Sequence, residues 1–176
     1  MSQAKPTLDF ESAIFPHLNA AYNLARWLLR SDQDAQDVVH DSFLRAHRYF
    51  ASFDGTDARA WLLGIVRNTC ITRLRSSKRE ERSVDGEESL QSPGSAEHSP
   101  ERLVLLEENL QVLRGCIDAL PVEYREVVIL RELEELSYKE IATAIGIALG
   151  TVMSRLNRAR ARLENCVTQK TGMALR

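Results

Sequence analysis

Apolar residues recur at steps of three and four along most of this chain, the spacing that lines one face of an α-helix. The first such run covers 10–28, where Pro16 is expected to kink or restart the helix. The second covers 35–50 and follows Ser31, a residue suited to cap a helix. The predicted apolar side of this second helix consists of Ala35, Val38, Val39, Phe43, Ala46, Tyr49 and Phe50.

Another amphipathic helix is predicted after Ser99 and Pro100, which would serve as its cap and first residue. Its apolar positions are Leu103, Leu106, Leu110, Leu113, Ile117 and Leu120. Pro121 then starts a short helix with an apolar core side. Because the chain also has only eight glycines and five prolines, these runs predict an all-α fold.

A long helix is predicted to begin near Asp57, after the loop 52–56. Its packed side contains Trp61, Leu62, Ile65, Val66 and Thr69. Successive residues of an α-helix are rotated by about 100° around its axis. A second, narrow face of this helix is therefore predicted to consist of Gly64, Arg67, Ile71, Arg75, Lys78 and Arg82. A basic stripe beside an aromatic-rich loop is suited to melted DNA, since cations bind the backbone and aromatic pockets hold unstacked bases. Trp61 is expected to be core rather than a stacking surface.

The segment 136–163 predicts a helix-turn-helix. Ser137 and Glu140 form a capping box, and Gly146 supplies the turn. In the second helix, Val152, Leu156, Ala159 and Leu163 share an apolar side, and the opposite side gathers Thr151, Ser154, Arg155, Arg158 and Arg162. Such a face has the width and donors for a DNA major groove. An ordinary helical hairpin with a solvated arginine face is the alternative.

Charge and composition divide the chain into two parts. The net charge is only −2, but residues 59–82 carry seven Lys or Arg against two Glu, and 148–176 carry six against one. Between them, 83–99 is serine-rich and acidic and has few large apolar groups to offset chain entropy. The sequence therefore predicts helical domains at 1–82 and 100–176, joined by a flexible acidic linker at 83–99.

Several kinds of chemistry are not indicated by the sequence. Cys70, Cys116 and Cys166 are widely spaced and odd in number, and they are expected to be small buried thiols in a reducing compartment. Without a CxxC pair or a His-Cys cluster, no metal and no cofactor are predicted. No glycine-rich phosphate loop or nucleophile with a paired base suggests an enzyme. No membrane-spanning run or leader pattern is present, which favours a cytoplasmic protein without membrane insertion.

Three ordered motifs stand out along the chain. The first is DAQDVVHDSFLRAHR at 34–48, and the second is AWLLGIVRNTCITRLR at 60–75. The third is ALPVEYR at 119–125, followed by LSYKEIA at 136–142 and GTVMSRLNRAR at 150–160. In this order, the motifs resemble the extracytoplasmic-function (ECF) group of the sigma-70 family of bacterial sigma factors. The resemblance covers nearly all of the chain outside the predicted linker.

The resemblance implies a role for each surface. The first domain would dock on the clamp helices of the largest subunit of core RNA polymerase through Asp34, Asp37 and Asp41, and the second would meet the flap of the second-largest subunit. Minus-10 DNA would be held by Phe53, Arg67, Asn68, Arg75 and Lys78. Minus-35 DNA would meet phosphate-binding Arg155, Arg158 and Arg162 and the candidate base contacts Thr151, Ser154 and Asn157. An anti-sigma factor is implied as a regulator.

Two departures and one alternative class accompany the resemblance. His40 stands where relatives often have glutamine, a change that is compatible with docking. Met153 stands where many have a basic residue in the second helix of the helix-turn-helix, so the minus-35 sequence is hard to predict. An autonomous helix-turn-helix regulator is the alternative, but it would leave the acidic ridge of Asp34, Asp37 and Asp41 without a role. Near-neutral charge further predicts that the free subunit binds DNA weakly.

Overall fold

The computed structural model describes residues 9–81 and 102–172, and the regular structure in these two ranges is helical. We refer to the ranges as the first half and the second half. The predicted linker, Ser99, Pro100 and Arg82 lie outside them. The helices are α1 (Phe10–Ile14), α2 (Leu18–Leu29), α3 (Asp32–Tyr49), α4 (Ala58–Glu81), α5 (Arg102–Asp118), α6 (Val122–Val128), α7 (Tyr138–Ile145) and α8 (Leu149–Thr171). The all-α prediction is confirmed.

The first half is a bundle of α2, α3 and α4, with α1 against it. Pro16 restarts the helix as predicted, because a short 3₁₀ turn, Phe15–His17, separates α1 from α2. The predicted cap of α3 is also present: the Ser31 hydroxyl accepts a hydrogen bond from the Asp34 amide at 3.2 Å. Local capping signals therefore set where these helices begin.

The apolar side of α3 departs from the prediction at its C-terminal end. Ala35, Val38 and Ala46 are buried, but Tyr49 is 56% exposed. The reason is that α3 ends at Tyr49 and the chain turns, so that Phe50 takes the inward position against Phe10, with ring centroids 5.1 Å apart.

In the second half, α6 begins one residue after Pro121 and continues into a π-helical turn, Ile129–Leu133. The capping box of α7 is present, and Gly146 has the left-handed φ of +70° that its turn requires. Val152, Leu156 and Ala159 of α8 are buried, as predicted. The predicted helix-turn-helix is therefore confirmed as a local structure.

The apolar side predicted for α5 is wrong at Leu110, which is 54% exposed. Residues 107–111 are all exposed, and among the described side chains of α5 the packed ones lie at its C-terminal end, where Leu113, Cys116 and Ile117 face inward. The predicted positions Leu103 and Leu106 lie outside the described side chains. Amphipathic spacing identified the correct face of α5 but could not show how far its partner helix, α8, extends along that face.

The prediction of three thiols is wrong for two cysteines. Cys116 of α5 and Cys166 of α8 form a disulfide, with Cα atoms 5.8 Å apart across 50 residues of sequence. The bond forms because α5 and α8 pack side by side with both cysteines on the contact. Cys70 of α4 is a buried free thiol, as predicted.

The two halves pack against each other through α4 with α7 and α2 with α6. Arg125 of α6 bridges them. Its guanidinium donates to the carbonyl of Asp118 at 2.6 Å, to that of Leu120 at 2.7 Å and, across the contact, to that of Trp27 at 3.2 Å. Burial lowers the pKa of Arg125 to about 10, so the side chain keeps its charge at neutral pH. A single apolar core therefore extends through both halves.

Candidate nucleic-acid interface

The exposed side of α8 forms the surface predicted to read duplex DNA. Met153, Ser154, Asn157 and Arg158 are exposed, on the side opposite the buried Val152, Leu156 and Ala159. Thr151 is half-buried. The predicted base contacts Ser154 and Asn157 and the predicted phosphate contact Arg158 thus share one open face with Met153, whose side chain is 47% exposed.

Arg155 does not belong to that open face. Its Nη1 donates to Glu126 of α6 at 2.9 Å, and only 26% of its side chain is exposed. The position of Arg155 on the helix explains this, because it lies at the border between the buried and exposed sides, within reach of α6. We call the arrangement in which the two halves pack against each other the closed arrangement. In it, the Arg155 guanidinium is bound to a carboxylate of the protein and is not free for phosphate.

The same carboxylate binds Arg67 of α4. Arg67 donates through Nε at 2.7 Å and through Nη2 at 3.1 Å to the two oxygens of Glu126, whose side chain is 0% exposed. Two arginines predicted to contact different promoter elements therefore share one buried carboxylate. We call this the Glu126 cluster: Arg67, Glu126 and Arg155.

A second buried carboxylate repeats the pattern. Glu134, 3% exposed, accepts from Arg59 of α4 at 2.6 Å. Sequence analysis missed both acids. For Glu126, the available signal was its position next to the apolar run Val127–Leu130, since a charge at a buried position requires a partner. What the sequence could not show was that Arg67 and Arg59 would reach these acids from the other half.

The rest of the predicted minus-10 surface is only partly covered. Asn68 is exposed and accepts a hydrogen bond from Arg67 at 3.2 Å, and Arg75 and Lys78 are exposed towards the end of α4. The narrow basic face predicted for α4 is therefore open at its C-terminal part, whereas Gly64 at its start is buried against α7.

Phe53 belongs to an aromatic cluster at the start of α4. Its ring centroid lies 5.0 Å from that of Trp61 and 5.8 Å from that of Phe50. Both Phe53 and Trp61 are half-buried. The loop 52–56 is thus supported by packed rings, and the Asp54 carboxylate accepts from the Thr56 amide at 3.0 Å.

The acidic ridge is partly paired. Arg73 of α4 donates to Asp34 at 2.5 Å and lies 3.9 Å from Asp37, while Asp41 is exposed. The prediction of an exposed acidic surface therefore stands for Asp37 and Asp41. Arg73, which sequence analysis did not assign, reduces the negative potential at one end of the ridge.

Arg162 and Arg160 have partners within the second half. The Arg162 guanidinium lies 4.8 Å from the centre of the Tyr124 ring, and Arg160 donates to Glu132 at 2.6 Å. The hydrogen bond with Glu132 raises the pKa of Arg160. Of the arginines predicted for minus-35 phosphates, Arg158 is the most open to a ligand in this arrangement.

A cleft of about 400 Å³ lies between the halves, lined in part by His17, Arg59 and Glu134. Burial, and to a lesser degree the positive charge of Arg59, lowers the pKa of His17, although Asp57 opposes the shift. Among the described residues, no group of His, Cys, Asp and Glu is arranged to hold a metal ion, and no helix has the length and apolarity to cross a membrane.

Both halves match known sigma-factor regions. Residues 14–80 match the family described as sigma-70 region 2, and residues 110–163 match sigma-70 region 4. The ECF RNA polymerase sigma-E factor of Salmonella typhimurium (strain LT2) is 39% identical, over 76% of this chain and 74% of the Salmonella protein. The chain belongs to the ECF group of the sigma-70 family. This is a family of regulatory transcription factors that direct transcription initiation.

Further relatives of this sigma factor agree. The sigma-E factor of Escherichia coli (strain K12) is 38% identical, over 76% of this chain and 74% of that protein. The fold is similar to that of RpoE from Bartonella quintana, solved with the anti-sigma factor NepR, at a TM-score of 0.77 and 29% identity, covering 94% of this chain and 99% of RpoE. CnrH, solved with the cytosolic domain of CnrY, gives a TM-score of 0.66 at 25% identity, covering 92% and 89%.

Proposed function

We propose that this sigma factor binds core RNA polymerase in the cytoplasm and reads promoters through paired minus-35 and minus-10 elements. The observation that carries the proposal is the open face of α8, where Ser154, Asn157 and Arg158 are exposed on a helix anchored by its opposite side. Arg158 would contact phosphate and set the register, while Ser154 and Asn157 offer donors to base edges in the major groove. Thr151, Arg155 and Arg162 complete the proposed minus-35 set.

The proposed minus-10 surface runs along α4. Asn68, Arg75 and Lys78 are exposed and would hold the DNA backbone, joined by Arg67 after its release from Glu126. The loop 52–56, with Phe53 supported by Trp61, would form a pocket for a base flipped from the non-template strand. Because flipping a base costs a few kcal/mol, such a pocket opens DNA only where the sequence already unstacks easily.

Docking on polymerase is assigned to the acidic ridge. Asp37 and Asp41 are exposed along α3, and Asp34 becomes available when a partner displaces Arg73. Family membership implies that the ridge meets the clamp helices of the largest polymerase subunit and that the second half meets the flap of the second-largest subunit.

The Glu126 cluster supports the prediction that the free subunit binds DNA weakly. One residue from each proposed DNA-binding surface, Arg67 and Arg155, is paired with the same buried carboxylate, so neither is free for phosphate in this arrangement. Separation of the halves would release Arg67, whereas Arg155 and Glu126 belong to the same half. Polymerase would separate the halves and fix them at promoter spacing. When the two weak DNA-binding surfaces are held at a set distance, binding of one raises the effective concentration of the other at its element, so together they bind the promoter tightly.

An anti-sigma factor is proposed as the regulator. The solved relatives RpoE and CnrH are complexes with NepR and with the cytosolic domain of CnrY, respectively. For this chain, we infer a partner that covers polymerase-facing surfaces such as the acidic ridge and the exposed Leu44 and Tyr49 of α3.

The decisive experiment is run-off transcription with core polymerase on a pool of genomic fragments, followed by sequencing of the 5′ ends. We expect transcripts that share an upstream pair of elements and depend on this subunit. Transcripts no different from those of core polymerase alone would overturn the proposal. Copurification addresses the alternative of an autonomous helix-turn-helix regulator, because only a sigma factor should bind core polymerase stoichiometrically.

A further inference from the structure

A disulfide links α8, the helix proposed to read minus-35 DNA, to α5, the first helix of the second half. It joins Cys116, near the C-terminal end of α5, to Cys166, in the C-terminal part of α8. Cys116 is 1% exposed, whereas Cys166 is partly exposed. A small thiol or disulfide in solution can therefore reach the bond from the side of Cys166.

Away from this bond, the described parts of α5 and of the end of α8 are largely exposed. In α5, residues 107–111 are exposed, and the helix meets the rest of the described chain mainly at α8. In α8 beyond Ala159, the inward side chains are Leu163, Cys166 and Val167, and most of the remaining residues are exposed. Among the described side chains, the apolar contact between the two helices lies around this bond, so the covalent link adds directly to what holds them together.

The remaining cysteine, Cys70, does not take part in thiol–disulfide exchange. Cys70 is fully buried in α4, and burial raises the pKa of its thiol to about 12. Because the thiolate is the reactive form, Cys70 stays inert at neutral pH. Redox chemistry is thereby confined to the pair in the second half.

We propose that Cys116 and Cys166 form a reversible redox switch that controls minus-35 reading. Oxidation fixes α5 on α8 and orders this helix pair, which we call the reading unit because α8 carries the proposed minus-35 contacts. Reduction loosens both helices and lowers transcription from promoters that depend on minus-35 contacts. In the reducing compartment where polymerase works, a protein disulfide is usually transient and redox-sensing. The transcriptional part of this inference rests on the proposed function.

The oxidant is a low-molecular-weight disulfide such as oxidised glutathione. The Cys166 thiolate attacks one of its sulfurs, a glutathione thiolate leaves, and a mixed disulfide remains on Cys166. The Cys116 thiolate then attacks the Cys166 sulfur and expels the second glutathione thiolate. The protein loses two protons and two electrons, and one oxidised glutathione becomes two reduced molecules. Excess reduced glutathione reverses both steps.

The first test is a thiol titration of the full-length protein across a series of ratios of reduced to oxidised glutathione. Alkylation and mass spectrometry then count the free thiols. We expect a transition from three thiols to one in the parent and from two to none in Cys70→Ala, at the same glutathione ratio. Cys166→Ser should show no protein disulfide. A pair that stays bonded under excess reduced glutathione, or stays open under excess oxidised glutathione, would overturn the switch.

The second test is hydrogen exchange of the two forms of the unmodified protein, which needs no variant to fold. On reduction, we expect amides of α5 and of α8 beyond Ala159 to exchange about tenfold faster or more, with α2 and α3 unchanged as internal references. Equal protection in both forms would show that the bond does not order the reading unit.

The third test is run-off transcription by the assembled holoenzyme under both redox conditions. Transcription by the parent should fall severalfold on reduction, whereas Cys166→Ser holoenzyme, the control for thiols on polymerase itself, should give the same low output in both buffers. If transcription by the parent holoenzyme is as insensitive to reduction as transcription by the Cys166→Ser holoenzyme, the proposed regulatory role is wrong. If no promoter-specific transcript appears in either condition, the proposed function fails, and the thiol titration still decides the redox chemistry.

Discussion

Gly64 of α4 and Ala144 of α7 are in backbone contact across the two halves of the molecule. A Cβ placed on Gly64 would lie 2.6 Å from the carbonyl oxygen of Ala144 and 3.3 Å from its carbonyl carbon. Since no side chain fits in that space, glycine is what allows α4 and α7 to approach this closely. The Glu126 cluster depends on the same approach, because Arg67 is one turn further along α4.

Gly64→Ala is expected to open the closed arrangement without altering any charge. The added methyl meets backbone that cannot move aside, so the halves must separate. We expect a larger radius of gyration of the full chain by X-ray scattering. We also expect tighter binding of the free subunit to minus-10 DNA, because Arg67 loses its partner Glu126 when the halves separate.

Gly115→Ala is the matched control. Gly115 also lies within a helix, but a Cβ there would be 3.5 Å from the Nζ of Lys170, an ordinary contact. Alanine should therefore leave the shape unchanged and raise the free energy of unfolding by up to about 1 kcal/mol, as expected for glycine to alanine in a helix. Equal scattering curves for the two variants would mean that the α4–α7 contact does not hold the halves together.

Glu126→Gln is expected to weaken the closed form by removing the charge that Arg67 and Arg155 share. Breaking a buried ion pair leaves uncompensated charge, so the free energy of unfolding should fall by about 3 kcal/mol, measured by urea titration. The free subunit should at the same time bind DNA more tightly, because Arg155 is released.

Glu132→Gln provides the comparison for that variant. Glu132 pairs with Arg160, and both side chains are 48% exposed, so its loss should cost less than about 1 kcal/mol. If Glu126→Gln destabilised the protein no more than Glu132→Gln, the Glu126 cluster would not be an important contact between the halves.

The sequence predicts features that depend on residues close together in the chain, and it misses contacts between residues that are far apart in the chain. Ser137 and Glu140 are three residues apart, and Gly146 acts on its own turn, so these features could be read directly. The partners of Glu126 come from 59 residues before it and 29 residues after it. Periodicity gives the face of each helix but not which helix covers that face. For this reason, Arg67 and Arg155 were assigned to DNA without their common partner, and Cys116 and Cys166 were predicted to be separate thiols.

The lowered pKa of His17 predicts a dependence of stability on pH. Burial disfavours the charged imidazole in the folded protein, while the unfolded chain takes up a proton near the ordinary value of 6.5. The unfolded state therefore binds more protons below that pH, and stability should decline as pH falls from about 7.5 to about 5.5. His17→Gln should flatten this decline in urea titrations. Parallel declines for His17→Gln and the parent would assign the effect to other groups.

Arg158→Gln is expected to weaken promoter binding by the holoenzyme without changing which sequence is preferred. Arg158 is exposed on the reading face, and a phosphate contact contributes affinity through counterion release. The slope of log affinity against log salt should fall in magnitude by about one. Asn157→Ala, in contrast, should relax the preference for one base pair, with a loss of about 1–3 kcal/mol at the preferred site only. Arg160→Gln is the control, because Arg160 is held by Glu132. Both quantities come from binding assays on a promoter series at several salt concentrations. A salt slope unchanged in Arg158→Gln but reduced in Arg160→Gln would place the phosphate contact on the other side of α8.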